Sequence, residues 1–250
     1  MFTKFIFEIY LIAKAFGVPF AVKYFLRAIL VFPSILKFKS LGPVDRTIRP
    51  DRVIKVNYKG QEYYITGDML PTSREIFLKD CYKVNIDSAY RTIIDLGANR
   101  GNFSIIAAKY GDLVISVECD KIEMPQLFKQ TMVLNKASNV RFENYFISNL
   151  DNNDHISVNS LIKKHNIKSI DLIKIDIEGA EADLFSSNTE WLDITSNITM
   201  EVHPCFNVSV PDIVQKLKSF GFKIEVTDLS LVPSTAESLR GMGYLYAKKT

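Results

Sequence analysis

From residue 92 to residue 248 the chain alternates short, nearly unbroken apolar runs with stretches of helical periodicity. The apolar runs fall at 92–96, 113–118, 140–145, 170–176 and 198–202. All are too short for buried helices, and all but 140–145, where apolar and polar residues mix, are too continuously apolar for half-exposed strands, so they read as strands of a largely buried sheet. Strand followed by helix, repeated, means a mostly parallel sheet with helices on both faces. Pro125 suits the first turn of one intervening helix, and Gly111 the end of another. A helix over 211–220 presents Ile213, Val214 and Leu217 on one face and stops at Gly221. The last two strands, 222–227 and 244–248, are close enough in sequence to pair antiparallel. Between them, residues 228–243 form one long connection, expected to serve as part of a substrate lid.

Upstream the pattern differs. Residues 52–66 alternate apolar and polar around Lys59-Gly60 and read as a small hairpin, and 73–82 has helical spacing. The first fifty residues are rich in aromatic and aliphatic side chains with a lysine or arginine every several positions. Up to Arg52 there are five lysines and four arginines against three acids, a net of +6. The whole chain carries +3, so the remainder is −3. No uncharged run approaches the ~18 residues of a spanning helix. Residues 1–50 are therefore expected to form a basic amphipathic helical extension ahead of a domain at 51–250. It either caps that domain or rests, through residues 1–40, on an anionic membrane surface.

With 250 residues, 47% hydrophobic and 24% charged, the chain can bury a substantial core. Its mild charge gives no reason to expect a nucleic-acid partner. The three cysteines are scattered and odd in number, which makes neither a disulfide framework nor a zinc pattern. The sequon Asn102-Phe103-Ser104 lies inside a glycine turn, where a glycan would destroy any pocket. Both features favour a reducing, cytoplasmic compartment, with peripheral attachment at the cytoplasmic membrane face as the corresponding expectation for the N-terminal segment.

Chemistry concentrates at strand ends, because ligands of such sheets bind beyond the carboxyl ends of the strands. After the first strand comes Asp95-Leu96-Gly97-Ala98-Asn99-Arg100-Gly101, a D-x-G-x-x-x-G turn rather than the G-x-G-x-x-G of dinucleotide sites. About twenty residues later the second strand ends in Glu118, placed to accept both ribose hydroxyls of a nucleoside. The fourth strand ends in Asp176-Ile177-Glu178-Gly179-Ala180-Glu181, and the fifth in Met200-Glu201-Val202-His203-Pro204.

Taken together, IDLGANRGNFS, VECD, LIKIDIEGAE and MEVHP resemble the FkbM family of S-adenosylmethionine-dependent methyltransferases, over most of the chain from about Glu75. The resemblance implies a class I, Rossmann-like fold with a seven-stranded sheet. It also implies O-methylation, often of a sugar hydroxyl. Carried over by position, Gly97, Ala98, Asn99 and Gly101 would line the methionine end of the cofactor, with Phe103 and Ser104 continuing the wall. Glu118 would hold the ribose, with Cys119 beside it, and Tyr145 and Phe146 would flank the adenine. Glu75 and Tyr82 would close over it.

A sugar hydroxyl is a poor nucleophile at neutral pH, so a base or a metal should assist. Asp176 is the first candidate, as base or as hydroxyl-positioning acceptor. His203, beside Glu201, is the second, with an ordinary pKa of ~6.5 that suits proton transfer. Glu178 joins this acidic group, although Glu178 and Glu181 could instead stabilise a helix N-terminus. Such a cluster could also hold Mg²⁺. The expected acceptor is a saccharide or glycolipid precursor. Against this stand an NAD-linked oxidoreductase, which lacks its pyrophosphate turn here; a base methyltransferase, which would want an N-P-P-Y-like stretch after strand four; and a ribose methyltransferase, which would want a basic groove. The non-enzymatic alternative is a membrane-peripheral scaffold that keeps the fold without turnover.

Overall fold

Lys59 and Gly60 both take left-handed backbone conformations, φ 48° and 79°. That is the geometry of a tight two-residue turn matched to strand twist, and it folds β1 (Val53–Tyr58) onto β2 (Gln61–Thr66) as the alternation predicts. The computed structural model describes residues 2–85, 88–186 and 188–249. It divides into two compact units: Met1–Asp80 with Gln130–Lys136, and Cys81–Lys129 with Ala137–Thr250. The hairpin therefore groups with the N-terminal helices, and the division falls at Asp80 rather than near residue 50.

In the first unit, α1 (Phe2–Phe16) and α2 (Val18–Leu30) are separated by Gly17 at φ 85°, with Pro19 in the opening turn of α2. Proline there has no amide hydrogen to lose. α3 (Phe32–Phe38) ends at Lys39 in the left-handed region, and α4 (Gly42–Asp45) is a single turn. Beyond the hairpin, α5 (Leu70–Ser73) runs into a π-turn over Arg74–Leu78. The helical segment expected to reach residue 82 stops there, because Asp80 and then Lys83 turn left-handed. The hairpin buries Ile54, Val56, Tyr63 and Ile65 on one face, and Phe77 packs edge-on to Tyr58 at 5.5 Å.

The second unit is the sheet domain. Its parallel strands are β3 (Tyr90–Leu96), β4 (Gly111–Glu118), β5 (Val140–Asn144), β8 (Leu172–Ile175) and β9 (Asn197–Val202). Between them come α6 (Asn102–Tyr110), α7 (Met124–Leu134), the short parallel pair β6 (Phe146–Ile147) and β7 (His155–Ile156), α8 (Val158–Lys164) and α9 (Glu181–Ser186). After them follow α10 (Val210–Ser219), β10 (Phe222–Asp228), β11 (Pro233–Ser234) and β12 (Gly243–Lys249). The sheet order is β11-β10-β12-β9-β8-β3-β4-β5, with β12 antiparallel to both β9 and β10. This is a Rossmann-like α/β architecture, a mostly parallel sheet with one antiparallel strand inserted beside β9. Ile93, Ile94, Leu96, Val114, Ile115, Val117, Ile173 and Ile175 are at most 1% exposed, as strands buried on both faces require.

The sheet has eight strands where seven were expected. The extra strand is β11, a two-residue edge. The Asp228 carboxylate accepts from the backbone N–H groups of Ser230 and Val232, at 2.8 and 2.9 Å, and turns the chain back. Pro233 and Ser234 then pair with Thr227 and Val226. Part of the connection expected as a free lid is thus laid along the sheet edge.

Candidate functional site

The sheet order sets the site. β3 leads through α6 to β4 on one side, while β8 and β9 lie on the other, so the order in which strands join the sheet reverses between β3 and β8, which are themselves parallel. The crevice beyond such a switch point is where open α/β sheets bind ligands. Across the adjacent strands β4, β3, β8 and β9, the residues at or just past the carboxyl ends are Glu118, the turn from Gly97 to Gly101, Asp176 and His203. With strands about 4.8 Å apart, one nucleoside-sized ligand can reach from Glu118 to Asp176.

Gly97 makes the turn possible. Its φ is 76°, and a Cβ there would sit 1.7 Å from the Asp176 carbonyl oxygen. The N–H groups of Gly97 and Ala98 both donate to the Val117 carbonyl, at 3.0 and 2.9 Å, which ties the turn to the end of β4. Asn99, also left-handed, donates its N–H to Glu118 Oε2 at 2.8 Å. Gly101, φ 89°, opens α6 with no side-chain cap. The other Glu118 oxygen accepts from the N–H groups of Cys119 and Asp120, at 2.8 and 3.0 Å, so the carboxylate is held at the crevice edge. Burial, then the Glu118 charge, pushes the Cys119 thiol up to about 11, which leaves it an unreactive neighbour.

Phe103 and Ser104, expected in the cofactor wall, are turned inward and buried. Ser104 donates to Asp95 Oδ2 at 2.6 Å and accepts from Ser116 at 2.9 Å. Phe103 packs edge-on to Tyr82 at 5.5 Å. Tyr145 is half-buried with the Lys164 ammonium over its ring, and Phe146 is exposed, stacked on His155 at 5.4 Å. Glu75 lies in the first unit, where its partner is Lys79 at 3.8 Å.

Two groups carrying the site had no catalytic or cofactor role in the sequence reading. Lys174, in the middle of β8, is 3% exposed. Its ammonium donates to the Gly97 carbonyl at 2.6 Å and pairs with Asp95 at 3.2 Å and Asp176 at 3.7 Å. Burial works against the ammonium, but the charges of Asp95 and Asp176 outweigh it and hold its pKa above the ordinary value. The second is Glu181, the first residue of α9, which is fully buried rather than capping the helix in solvent. Its Oε1 lies 2.7 Å from His203 Nδ1. A charged residue inside the apolar run LIKI, and an acid inside IIDL, were the available signals, since buried charges must be paired.

Asp176 is half-buried and accepts from the Tyr82 hydroxyl at 2.9 Å. Burial, then the Asp176 charge, holds the Tyr82 phenol well above its ordinary value, so it remains a donor. Glu178 and Gly179 both take left-handed conformations, φ 51° and 100°. This sharp bend brings Glu178, its side chain exposed, back to 3.5 Å from His203 Nε2. Asp176 Oδ1 is 4.0 Å from the same nitrogen. His203 is 1% exposed, and its Nε2 has no hydrogen-bond partner. Glu201 is buried in β9 opposite Tyr244 and adds negative charge near His203 and Tyr82.

Residues 131–224, from the second half of α7 into β10, match the sequence model of the methyltransferase FkbM domain. The similarity to FkbM methyltransferases lies in this segment. The match takes in Asp176, Glu181 and His203, with the glycine turn and Glu118 upstream of it. No curated protein matches the sequence. Solved structures similar to this chain include a precorrin-6y C5,15-methyltransferase from Geobacter metallireducens GS-15, with 12% identity and a TM-score of 0.47 over 74% of this chain and 89% of that one. An rRNA methylase from Streptococcus thermophilus has 12% identity and a TM-score of 0.49 over 70% and 96%. The N-terminal domain of EvdMO1 with SAH bound has 14% identity and a TM-score of 0.47 over 72% and 81%.

Proposed function

We propose that the domain is an S-adenosylmethionine-dependent O-methyltransferase acting on a hydroxyl of a saccharide or glycolipid precursor. The observation that carries this reading is the His203 imidazole, buried, fixed at Nδ1 by Glu181, and left with an unpartnered Nε2 beside Asp176. An acceptor that must lose a proton needs such a group.

The residues present fit the cofactor. Gly97 and Gly101 keep the end of β3 bare, α6 begins without a side-chain cap, and Glu118 offers its carboxylate at the end of β4. When bound, S-adenosylmethionine supplies the methyl group, carried on a sulfonium. The turn from Gly97 to Gly101 would hold its methionine end, Glu118 its ribose, and Tyr145 with Phe146 its adenine.

The chain's own residues do the rest. Glu181 accepts the proton on Nδ1 of the neutral imidazole, which leaves the Nε2 lone pair on the side of Asp176 and Glu178. Nε2 takes the proton from the attacking hydroxyl. Asp176, steadied by Tyr82 and Lys174, accepts from a neighbouring hydroxyl. Two acceptors 4.0 Å apart match adjacent hydroxyls of a sugar ring better than an isolated alcohol. Alignment of oxygen, methyl and sulfur supplies much of the rate.

One observation favours a second reading. One ligand atom from each of Asp176, Glu178 and His203 falls within 4.8 Å of the others, close enough for a shared divalent cation. An imidazole in the set suits manganese or iron better than magnesium, which prefers oxygen alone. The test is labelled-methyl transfer to a panel of saccharides and glycolipids, with and without chelator, in wild type and His203→Gln. The base reading expects activity that survives chelation and falls at least about a hundredfold in the variant. Activity abolished by chelation and restored by a metal would favour the second reading.

A further inference from the structure

In α2 the residues that face outward are Val18, Val22, Phe25, Leu26 and Ile29, spaced so that they form one stripe. Ala21, Tyr24 and Ala28 occupy the buried side. A surface helix of a soluble domain turns its large apolar groups inward; α2 leaves most of its own exposed, with Lys23 among them. Phe7 on α1, 61% exposed, and Phe38 on α3, 58% exposed, are further large apolar groups left uncovered on the neighbouring helices. Among the described residues, 12 of the 21 exposed large hydrophobic side chains lie between Ile6 and Phe38. Scattered exposed apolar residues need no explanation, but a concentration of this kind marks an interaction surface.

Charge is sorted on the same segment. Between residues 5 and 50 the chain has two acids, Glu8 and Asp45, and both turn onto one cation. Arg74 reaches Glu8 at 2.5 Å through Nη1 and Asp45 at 2.8 Å through Nη2, while the Tyr24 hydroxyl donates to the other Asp45 oxygen at 2.6 Å. Asp45 is only 4% exposed. Lys14, Lys23, Lys37 and Lys39 remain exposed. The outward surface is therefore apolar and cationic, with its acids neutralised beneath.

We propose that α1 to α3 dock on an anionic lipid bilayer, lying in the headgroup layer. The positive sign of the exposed charge selects the partner, and aromatic and aliphatic side chains between lysines are what such a layer accepts. The helices lie on the bilayer rather than cross it. α2 has 13 residues, about 20 Å of helix against a hydrocarbon core of ~30 Å. α2 and α3 together have the length and composition of a span, but the axis bends by 80° between them, and no single described helix is long and apolar enough to cross. This inference stands apart from methyl transfer and needs no acceptor.

The test is flotation of the full chain with vesicles of phosphatidylcholine alone or mixed with phosphatidylglycerol, at low and high salt. Wild type should float with the mixed vesicles and less so at high salt. Leu26→Glu with Leu30→Glu, both at exposed positions, should weaken binding at least about tenfold while circular dichroism keeps its helical signal. Lys23→Gln with Lys37→Gln and Lys39→Gln should remove the preference for phosphatidylglycerol. Absence of flotation by the wild type overturns the proposal, as does equal binding by the Leu26 and Leu30 variant. Equal flotation on both lipids overturns the anionic assignment. A dimer that this variant dissociates, with no vesicle binding, would make the face a contact between two copies of the chain instead.

Discussion

Nδ1 of His203 lies 2.7 Å from Oε1 of Glu181, and neither residue is more than 1% exposed. One residue ends the fifth parallel strand and the other begins α9, so the fold itself aligns the pair. Burial works against the imidazolium, but the hydrogen bond and charge of Glu181, followed by Asp176 and Glu201, outweigh it and raise the His203 pKa above its ordinary value.

That direction has two consequences. The neutral imidazole is the working form, so kcat/KM should rise with pH through a midpoint above ~6.5. In Glu181→Gln the midpoint should move to lower pH. Stability should respond oppositely. A raised folded-state pKa contributes stability that is fully present below ~6.5 and lost as pH rises through the folded value. Glu181→Gln should therefore cost more at about pH 6 than at about pH 9. Urea unfolding followed by Trp191, the single tryptophan and buried at 1%, measures this, and an equal cost at both would contradict the pairing.

Gly97→Ala tests the turn. A Cβ would meet the Asp176 carbonyl at 1.7 Å while φ stays at 76°, so the end of β3 must part from β8. The expected loss is about 4 kcal/mol or more. Gly221→Ala is the control: its φ is similar, 83°, but nothing lies within 4 Å, and the strain alone should cost about 1–2 kcal/mol. Equal losses at the two positions would show that close approach at Gly97 matters little.

Lys174→Met should destabilise the domain by about 3–5 kcal/mol, because Asp95 would be left buried without its cation. Lys174→Met combined with Asp95→Asn should recover much of that loss. A single variant with unchanged thermal stability would mean that the pair contributes nothing net.

The alternation of strands and helices, the glycine turn and the acids at strand ends were legible because each rests on local chemistry: apolar runs, positive φ, a carboxylate closing a strand. The direction of the Ser104 hydroxyl was not legible, because a position in the turn says nothing about where it points; Asp95, nine residues back, takes it inward. The pairing of Glu181 with His203 spans 22 residues and depends on where α9 begins, which no local pattern specifies. β11 was invisible for a similar reason, since two residues make a strand only when Asp228 has already bent the chain against β10.

The most direct measurement is calorimetric titration of S-adenosylhomocysteine into the full chain, with Glu118→Gln alongside. The variant keeps an oxygen for the Asn99 N–H but loses the charge. One-site binding by the wild type, weakened about tenfold or more in Glu118→Gln, is the predicted result. No binding by folded wild-type protein, its Trp191 emission still that of a buried indole, would contradict the account.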